Sequence, residues 1–312
     1  MSAWPWTQVC TKPAPQSAAT VRMSQAGPSR KTLAFAALLL GAAAIAFAPI
    51  FVRLSDTGPT ASAFWRVALA AVPLWIWAGM SPAAERSRSL QWKPLVIAGL
   101  CFAGDLGAWH VSIMYTTVAN STLEANFAPI FVTLGAWLLF RQRVSRLFLI
   151  ALSVTLGGAV LLIGPNFALG GRALLGDALG VLTAVFYAGY MLAIKSASAR
   201  TSTAGIMAVS TTVAAFVLFP YGLATADVFM PQSANGWLVL AGLALIPHIA
   251  GQSLIAYGFA HLPASFSSVS LLLQPVLAAV YAWALLGEAV GPVQMLGGLV
   301  VLAGIYLARR SS

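Results

Sequence analysis

The chain has 312 residues, of which 60% are hydrophobic and only 8% are charged, and its mean hydropathy is +0.87. A soluble domain carries about 25% charged residues, so this composition excludes an ordinary soluble protein and indicates a polytopic membrane protein. The net charge of +10 does not indicate nucleic-acid binding. The basic residues lie in short loops between apolar runs, as is typical of membrane proteins.

The first segment, residues 1–31, has no periodic apolar pattern and is rich in Pro, Ser and Ala. We expect a disordered cytoplasmic tail, and Met23 is an alternative to Met1 as the true start. The apolar run that follows is about 20 residues long. Pro49 stands beside Ala46-Phe47-Ala48, a sequence that mimics a signal-peptide cleavage site, and this favours a retained membrane span over a leader.

Ten apolar runs of spanning length follow one another with very short loops. They are residues 33–52, 60–79, 94–115, 119–139, 145–163, 176–195, 205–224, 236–259, 266–286 and 291–308. Only helices satisfy the backbone within lipid over such runs, so we predict an all-α membrane protein with ten transmembrane helices. Most Lys and Arg residues fall on one side of the membrane, which predicts that both termini are cytoplasmic.

One stretch of the sequence occurs twice. A constant shift of 146 residues aligns Pro129 with Pro275 and Gly158 with Gly304. We therefore predict two copies of one five-helix unit, residues 32–164 and 176–309. Because five is an odd number, the second copy would cross the membrane in the opposite sense, as in the inverted repeats of secondary transporters. Small residues four apart in the third and sixth spans would serve a monomer or a homodimer equally well.

Polar side chains inside the spans are the candidate site residues, because inserting an ionisable group costs roughly 2.5 to 3.5 kcal/mol. Asp105 and His248 stand at equivalent central points of the third and eighth spans, and we expect them to meet near the midplane. Trp109 and Gln252 each follow four residues later, on the same helical face. Asp105 and His248 would either form a buried ion pair that holds the two copies together or line a substrate pathway. The candidate substrate-binding residues are Asp105, Trp109, Asn126, His248, Gln252 and Gln274.

A second group of ionisable residues is expected nearer the outer surface. Arg66, His110 and Glu124 each lie five or six residues inside the outer end of a span, on the order of 8 Å deep. Two interpretations stay open, a salt bridge between Arg66 and Glu124 that only neutralises both charges, and a gate or ion-coupling site. Pro129 and Pro275 are predicted to kink the fourth and ninth spans and to leave polar backbone atoms there.

No nucleophile motif, zinc motif, phosphate-binding loop or dinucleotide motif occurs, and the 3 histidines are scattered. We therefore expect no metal, no cofactor and no enzymatic activity. Two alternatives from other classes are an intramembrane enzyme that uses His110 or His248 as a base, and a membrane sensor that transports nothing.

Four segments resemble the EamA-type family of the drug/metabolite transporter superfamily. They are A-F-W-R-V-A-L-A-A-V-P-L at 63–74, D-L-G-A-W-H at 105–110, V-A-N-S-T-L-E-A-N-F-A-P-I-F-V at 118–132 and Q-P-V-L-A-A-V-Y-A-W-A-L-L-G-E at 274–288. The resemblance implies an inner-membrane carrier, typically an exporter of amino acids, metabolites or drugs, whose third, fourth, eighth and ninth spans line a cavity. One departure is Arg141-Gln142-Arg143, which stands where the family usually has Gly-Glu.

These observations together predict a secondary transporter that works by alternating access. A carboxylate would bind the amine of a cationic or zwitterionic substrate, and Trp109 would stack on it. Asp105, Glu124 and His248 are candidates for exchanging a proton against the substrate, with uncoupled facilitated diffusion as the alternative.

Overall fold

The computed structural model describes residues 27–82, 90–115, 124–163, 173–287 and 289–311. The first helix of these residues spans Gly27–Ile45, so residues 27–31 of the segment expected to be a tail are helical. Residues 1–26, which hold the rest of the predicted tail and Met23, lie outside the described part of the chain.

The described residues form helices joined by short connections. In chain order these are α1 (Gly27–Ile45), α2 (Ala48–Leu54), α3 (Pro59–Met80), α4 (Trp92–Tyr115), α5 (Ala128–Phe140), α6 (Arg146–Ile163), α7 (Ala173–Ala197), α8 (Thr203–Thr225), α9 (Ala234–Leu243), a π-helical segment (Ala244–Gln252), α10 (Ser253–His261), α11 (Ala264–Ser270), α12 (Leu273–Leu286) and α13 (Pro292–Arg310).

Seven helical stretches in this part of the chain are long and apolar enough to cross a membrane, and α5 and α6 are shorter apolar helices. With α4, which is 24 residues long, they form an all-helical integral membrane protein. The prediction of an all-α polytopic membrane protein is thus confirmed. The count of ten spans, the inverted arrangement and the boundaries of the two copies stay predictions.

The helical structure is interrupted at four places. Turns at residues 46–47, 126–127 and 271–272 separate helical pieces, and the fourth interruption is the π-helical segment. Pro49 and Pro129 each occupy the first turn of the helix that follows a break, and Pro275 is the third residue of α12. Proline is tolerated in a first turn, where no intrahelical N–H bond is required, so these prolines start new helices rather than bend continuous ones.

Small residues let the helices approach one another closely within the chain. Helix α7 packs along α4, α8 against α3 and α4, and α13 along α6. A Cβ atom added to Gly158 of α6 would lie 2.9 Å from the carbonyl oxygen of Gly297 in α13. Packing of this kind associates helices where lipid removes the hydrophobic drive between them.

Hydrogen bonds tie the loops together at the two ends of the bundle. At one end, the amide of Gly58 donates to the carbonyl of Val228 at 2.9 Å, and Asp56 accepts from the hydroxyl of Ser233 at 3.0 Å. At the other end, the amide of Gln91 donates to the hydroxyl of Thr201 at 3.3 Å. The loop before α3 and the loop before α9 therefore lie on the same face of the molecule.

Candidate functional site

The four interruptions meet at one cavity of about 210 Å³. Its wall includes a residue from or beside each of them, namely Ala46, Asn126, Gln252 and Gln274. Where a helix is interrupted, backbone polar groups become available, and membrane proteins tolerate this only in protein or around a water-filled space. The cavity is therefore a place in the described chain where polar groups of a ligand can find partners.

Helix α4 contributes one continuous face to the cavity. Phe102, Asp105, Leu106 and Trp109 all line it, and their spacing of three, four and seven residues is the spacing of one helical face. The expected shared face of Asp105 and Trp109 is thus present. Phe102 belongs to the same face and was missed, although the same periodicity would have found it.

A pair of opposite charges stands at the wall. Arg66 from α3 lines the cavity with Asp105, and the two side chains interact electrostatically. Arg66 is only 8% exposed, and its guanidinium lies 5.8 Å from the centre of the Phe102 ring. A buried arginine is costly without a counter-charge, and Asp105 supplies one.

Tyr187 of α7 joins the polar residues of the wall. Its hydroxyl lies beside the amides of Gln252 and Gln274, and it interacts electrostatically with Arg66 and Asp105. Sequence reasoning missed this tyrosine because the sixth span was interpreted only through its small packing residues. Its neighbour Thr183, four residues before, also lines the cavity, so a polar pair at helical spacing was the available signal.

His248 does not line the cavity. Its Nε2 lies 2.9 Å from the hydroxyl of Thr211, and its ring packs on Phe102 with 5.3 Å between the ring centres. The charged neighbour of Asp105 is Arg66 instead. The expectation that Asp105 and His248 meet assumed regular α-helical turns, whereas His248 lies in the π-helical segment, whose wider turns change which face each residue presents.

Within the expected outer cluster of Arg66, His110 and Glu124, the described side chains of Arg66 and Glu124 have other partners. Arg66 faces the cavity with Asp105, whereas Glu124 is hydrogen-bonded to Asp177 of α7 and packs on Gly180 so closely that a Cβ there would collide with its carboxylate. Similar depth along two helices does not bring side chains together when they point in different directions around the helix axes. The side chain of His110 lies outside the described residues.

The described residues form an all-helical integral membrane bundle around a mostly apolar cavity that has a few charged and polar side chains in its wall. Comparison with known families is more specific. The model of the EamA-like transporter family matches residues 32–164 and 174–310, so the chain belongs to this family.

Individual relatives agree with the family. The chain is 28% identical to the protein named pseudopaline exporter CntI of Pseudomonas aeruginosa over 216 residues, which are 69% of this chain and 74% of that protein. It is 28% identical to the protein named probable terminal-alkyne amino-acid exporter of Streptantibioticus cattleyicolor, over 86% of this chain and 89% of that protein. A crystal structure superposes with a TM-score of 0.77 at 17% identity, over 90% of this chain and 95% of the other, which shows a shared fold.

Proposed function

We propose that this protein is a secondary transporter that exports a small metabolite, such as an amino acid or a drug-like cation, across the inner membrane by alternating access. The observation that carries the proposal is the cavity at the meeting point of four interrupted helical stretches, with Arg66 and Asp105 in its wall. Interrupted helices around a central site are typical of secondary transporters. Two relatives are named as exporters of small metabolites, which supports export as the direction of transport.

The proposed binding residues fall into two groups. Asp105, Trp109, Asn126, Gln252 and Gln274 line the cavity directly. His248 acts from behind the wall, where its contact with Phe102 positions that ring. A substrate amine would bind the Asp105 carboxylate through a charge-assisted hydrogen bond, and the aromatic rings of the wall would contact its apolar part.

The binding role of Asp105 predicts the outcome of a single substitution. Asp105→Asn removes the charge but keeps the size, and a hydrogen bond to a charged group contributes about 1.5 to 3 kcal/mol. We expect the affinity for an amine-bearing ligand to fall about tenfold to a hundredfold. The measurement is the ligand-dependent rise in melting temperature of detergent-purified protein, with amino acids, polyamines and cationic drugs as ligands.

Asp227→Asn is the matched control, since Asp227 carries the same group in the loop after α8 and does not line the cavity. Ligand binding should be unchanged in this variant. Wild-type affinity in Asp105→Asn would move the substrate site away from this cavity. Absence of flux of every bound ligand in proteoliposomes would instead contradict the transporter proposal itself.

We infer that Glu124 and Asp177 form the site of ion coupling. Glu124 is only 6% exposed and hydrogen-bonded to another carboxyl group, and two carboxyl groups can share a hydrogen bond only while one of them holds a proton. Such a pair can bind and release a proton as the helices around it move. Glu124 stands two residues before Asn126, which lines the cavity, and this closeness links the pair to the substrate.

Coupling at this pair predicts how flux responds to a pH gradient. In proteoliposomes, wild-type flux should increase when protons are supplied on the side that drives export, whereas Glu124→Gln should transport at a rate independent of the gradient. Gly180→Ala should have the same effect, because the added methyl displaces the Glu124 carboxylate. Gly79→Ala is the control, since a Cβ there meets nothing within 4 Å. Wild-type flux that ignores the gradient would favour uncoupled diffusion.

A further inference from the structure

A group of basic side chains lies where α1 begins and α13 ends. Arg30 and Lys31 stand in the first two turns of α1, Arg309 and Arg310 stand in the last turn of α13, and all of them are exposed. The guanidinium of Arg309 lies 4.7 Å from the centre of the Phe35 ring, so the two helix ends meet. Lys31 is four residues before Phe35, on the same helical face. These four basic residues are called the basic cluster below.

Aromatic rings hold the two arginines of the basic cluster in place. Arg310 lies 4.8 Å from the centre of the Tyr306 ring. The Phe35 ring, on which Arg309 lies, stacks on Phe266 of α11 with 5.6 Å between the ring centres. The face of a guanidinium interacts with a ring, whereas its N–H groups point outwards in the guanidinium plane. The two arginines are therefore oriented by contacts that leave their N–H groups to bind an acceptor.

The described carboxylates do not balance the charge of the basic cluster. Asp56 and Asp227 lie in the loops before α3 and after α8, at the opposite end of the bundle. Asp105 lines the cavity, and Glu124 is bonded to Asp177 near the start of α7, the helix end that lies away from the basic cluster. Positive charge gathered at one place without nearby carboxylates attracts an anion.

The helix surface beside the basic cluster is apolar and exposed. In α1, Leu33 is three residues after Arg30. In α13, Tyr306 and Leu302 are three and seven residues before Arg309. These spacings place each side chain on the face of its basic residue, and all three side chains are exposed. Basic residues at the ends of membrane helices extend to the depth of the lipid headgroups, so this apolar surface lies at the depth of the acyl chains.

We propose that the basic cluster binds the phosphate of an anionic phospholipid, whose acyl chains lie along α1 and α13. A free phosphate ion would contact the charges and leave the apolar surface unused, whereas a phospholipid contacts both. The bound lipid joins the first and the last helix of the described chain. With the expected orientation, the site lies in the cytoplasmic leaflet, where basic groups beside membrane helices attract anionic lipids. The site is outside the cavity and does not depend on the proposed transport.

Three compounds test the headgroup and the acyl chains separately. They are phosphatidylglycerol, phosphatidylcholine with the same acyl chains, and glycerol 3-phosphate, which has a phosphate and no acyl chains. The melting temperature of the detergent-purified protein is measured over a range of concentrations of each compound. We expect phosphatidylglycerol to bind about tenfold more tightly than the other two, because each basic residue near the lipid adds to the attraction.

Two results of this comparison would overturn the proposal. Equal stabilisation by phosphatidylcholine would show that the acyl chains bind without recognition of the headgroup charge. Equal stabilisation by glycerol 3-phosphate would show a site for a free phosphate. No stabilisation by phosphatidylglycerol would likewise leave the basic cluster without its proposed ligand.

Paired substitutions locate the lipid site. Lys31→Gln with Arg309→Gln removes two charges from the basic cluster, and phosphatidylglycerol should then stabilise the protein no more than phosphatidylcholine does. Lys93→Gln with Arg200→Gln is the matched control. It removes the same two residue types at the same end of the bundle, beside the hydrogen bond that joins the loops before α4 and α8, and it should keep the preference. Loss of the preference in both pairs would show attraction by diffuse charge and overturn the site.

A charge-conserving pair separates lipid binding from folding. Lys31→Arg with Arg309→Lys keeps both charges, so it should keep the preference for phosphatidylglycerol even if the weakened contact with Phe35 lowers the melting temperature without lipid. Each variant is compared with its own melting temperature in the absence of lipid. Loss of the preference in this pair would show that charge does not hold the lipid, which contradicts the proposal.

Discussion

Arg141 and Gly287 end equivalent helices in the same left-handed conformation. Their φ angles are 55° and 69°, and the amide of each caps its helix by donating to the equivalent carbonyls of Ala136 and Ala282. Glycine adopts this conformation without a steric penalty, whereas a residue with a Cβ atom pays about 1 kcal/mol or more. In the first copy, an arginine thus occupies a left-handed position that favours glycine.

This difference predicts that Arg141→Gly stabilises the protein. Removing the Cβ relieves the strain, and the greater freedom of glycine in the unfolded chain offsets part of the gain. We expect the free energy of unfolding to rise by about 0.5 to 1 kcal/mol, measured by thermal or denaturant unfolding in detergent. Gly287→Ala should destabilise the protein by about 1 kcal/mol, and a stabilising Gly287→Ala would contradict the argument. Arg141 contributes a positive charge beside the membrane, which explains its presence despite the strain.

Residue spacing predicted part of the cavity wall and could not predict the rest. Asp105 and Trp109 share a face because they are neighbours on one helix, and spacing alone gives that result. The electrostatic interaction of Arg66 with Asp105 joins two helices, and it depends on how each helix is rotated about its own axis. Depth counted along a span gives no information on rotation. The interpretation that paired Arg66 with Glu124 therefore chose two buried charged residues that each have a different partner, Asp105 and Asp177.

At the scale of elements, helix packing can be tested within a single turn of α6. A Cβ on Gly158 would lie 2.6 Å from the backbone nitrogen of Val301, whereas a Cβ on Gly157 would meet nothing within 4 Å. Gly158→Ala should therefore force α6 and α13 apart and cost about 1 to 3 kcal/mol. Gly157→Ala should be neutral or stabilising by up to about 1 kcal/mol, because alanine favours the helix.

Melting temperatures of the two variants in detergent measure this difference. A similar change in both would show that α6 and α13 do not pack as closely as the structure has them.

The presence of these helices was predictable from hydropathy, since continuous apolar runs leave a membrane protein no other backbone structure. The π-helical segment was not predictable in this way. It differs from an α-helix in hydrogen-bond register, and the sequence signal there is a lone Pro247 inside an apolar run.

At the scale of the molecule, the contacts between α6 and α13 are reciprocal. Gly158 faces Val301, and Gly304 faces Thr155. The shift of 146 residues that relates the two copies converts Gly158 to Gly304 and Thr155 to Val301. The second contact is therefore the first one with the two copies exchanged. Such an exchange is typical of two units related by a two-fold axis. This reciprocity supports, between two copies in one chain, the inverted arrangement expected of two five-helix units.

The arrangement of loops leads to a prediction of orientation. The loops before α3 and α9 share one face, and the opposite face carries the connection between α7 and α8, where Gln91 meets Thr201. Arg200 lies in that connection, with Arg141 and Arg143 expected on the same side. Because positive charge accumulates on the cytoplasmic side, we expect Arg200 to face the cytoplasm and Asp227 to face outwards.

Single cysteines test this orientation in intact cells. Cys10 and Cys101 are first changed to serine, and Asp227→Cys and Arg200→Cys are then introduced separately. A membrane-impermeant maleimide should label Asp227→Cys at once and Arg200→Cys only after the membrane is permeabilised. Restoring Cys10 alone should give the second pattern, since the N-terminus is expected to be cytoplasmic. Labelling of Arg200→Cys without permeabilisation would show that the molecule has the opposite orientation, with the loop between α7 and α8 outside the cell.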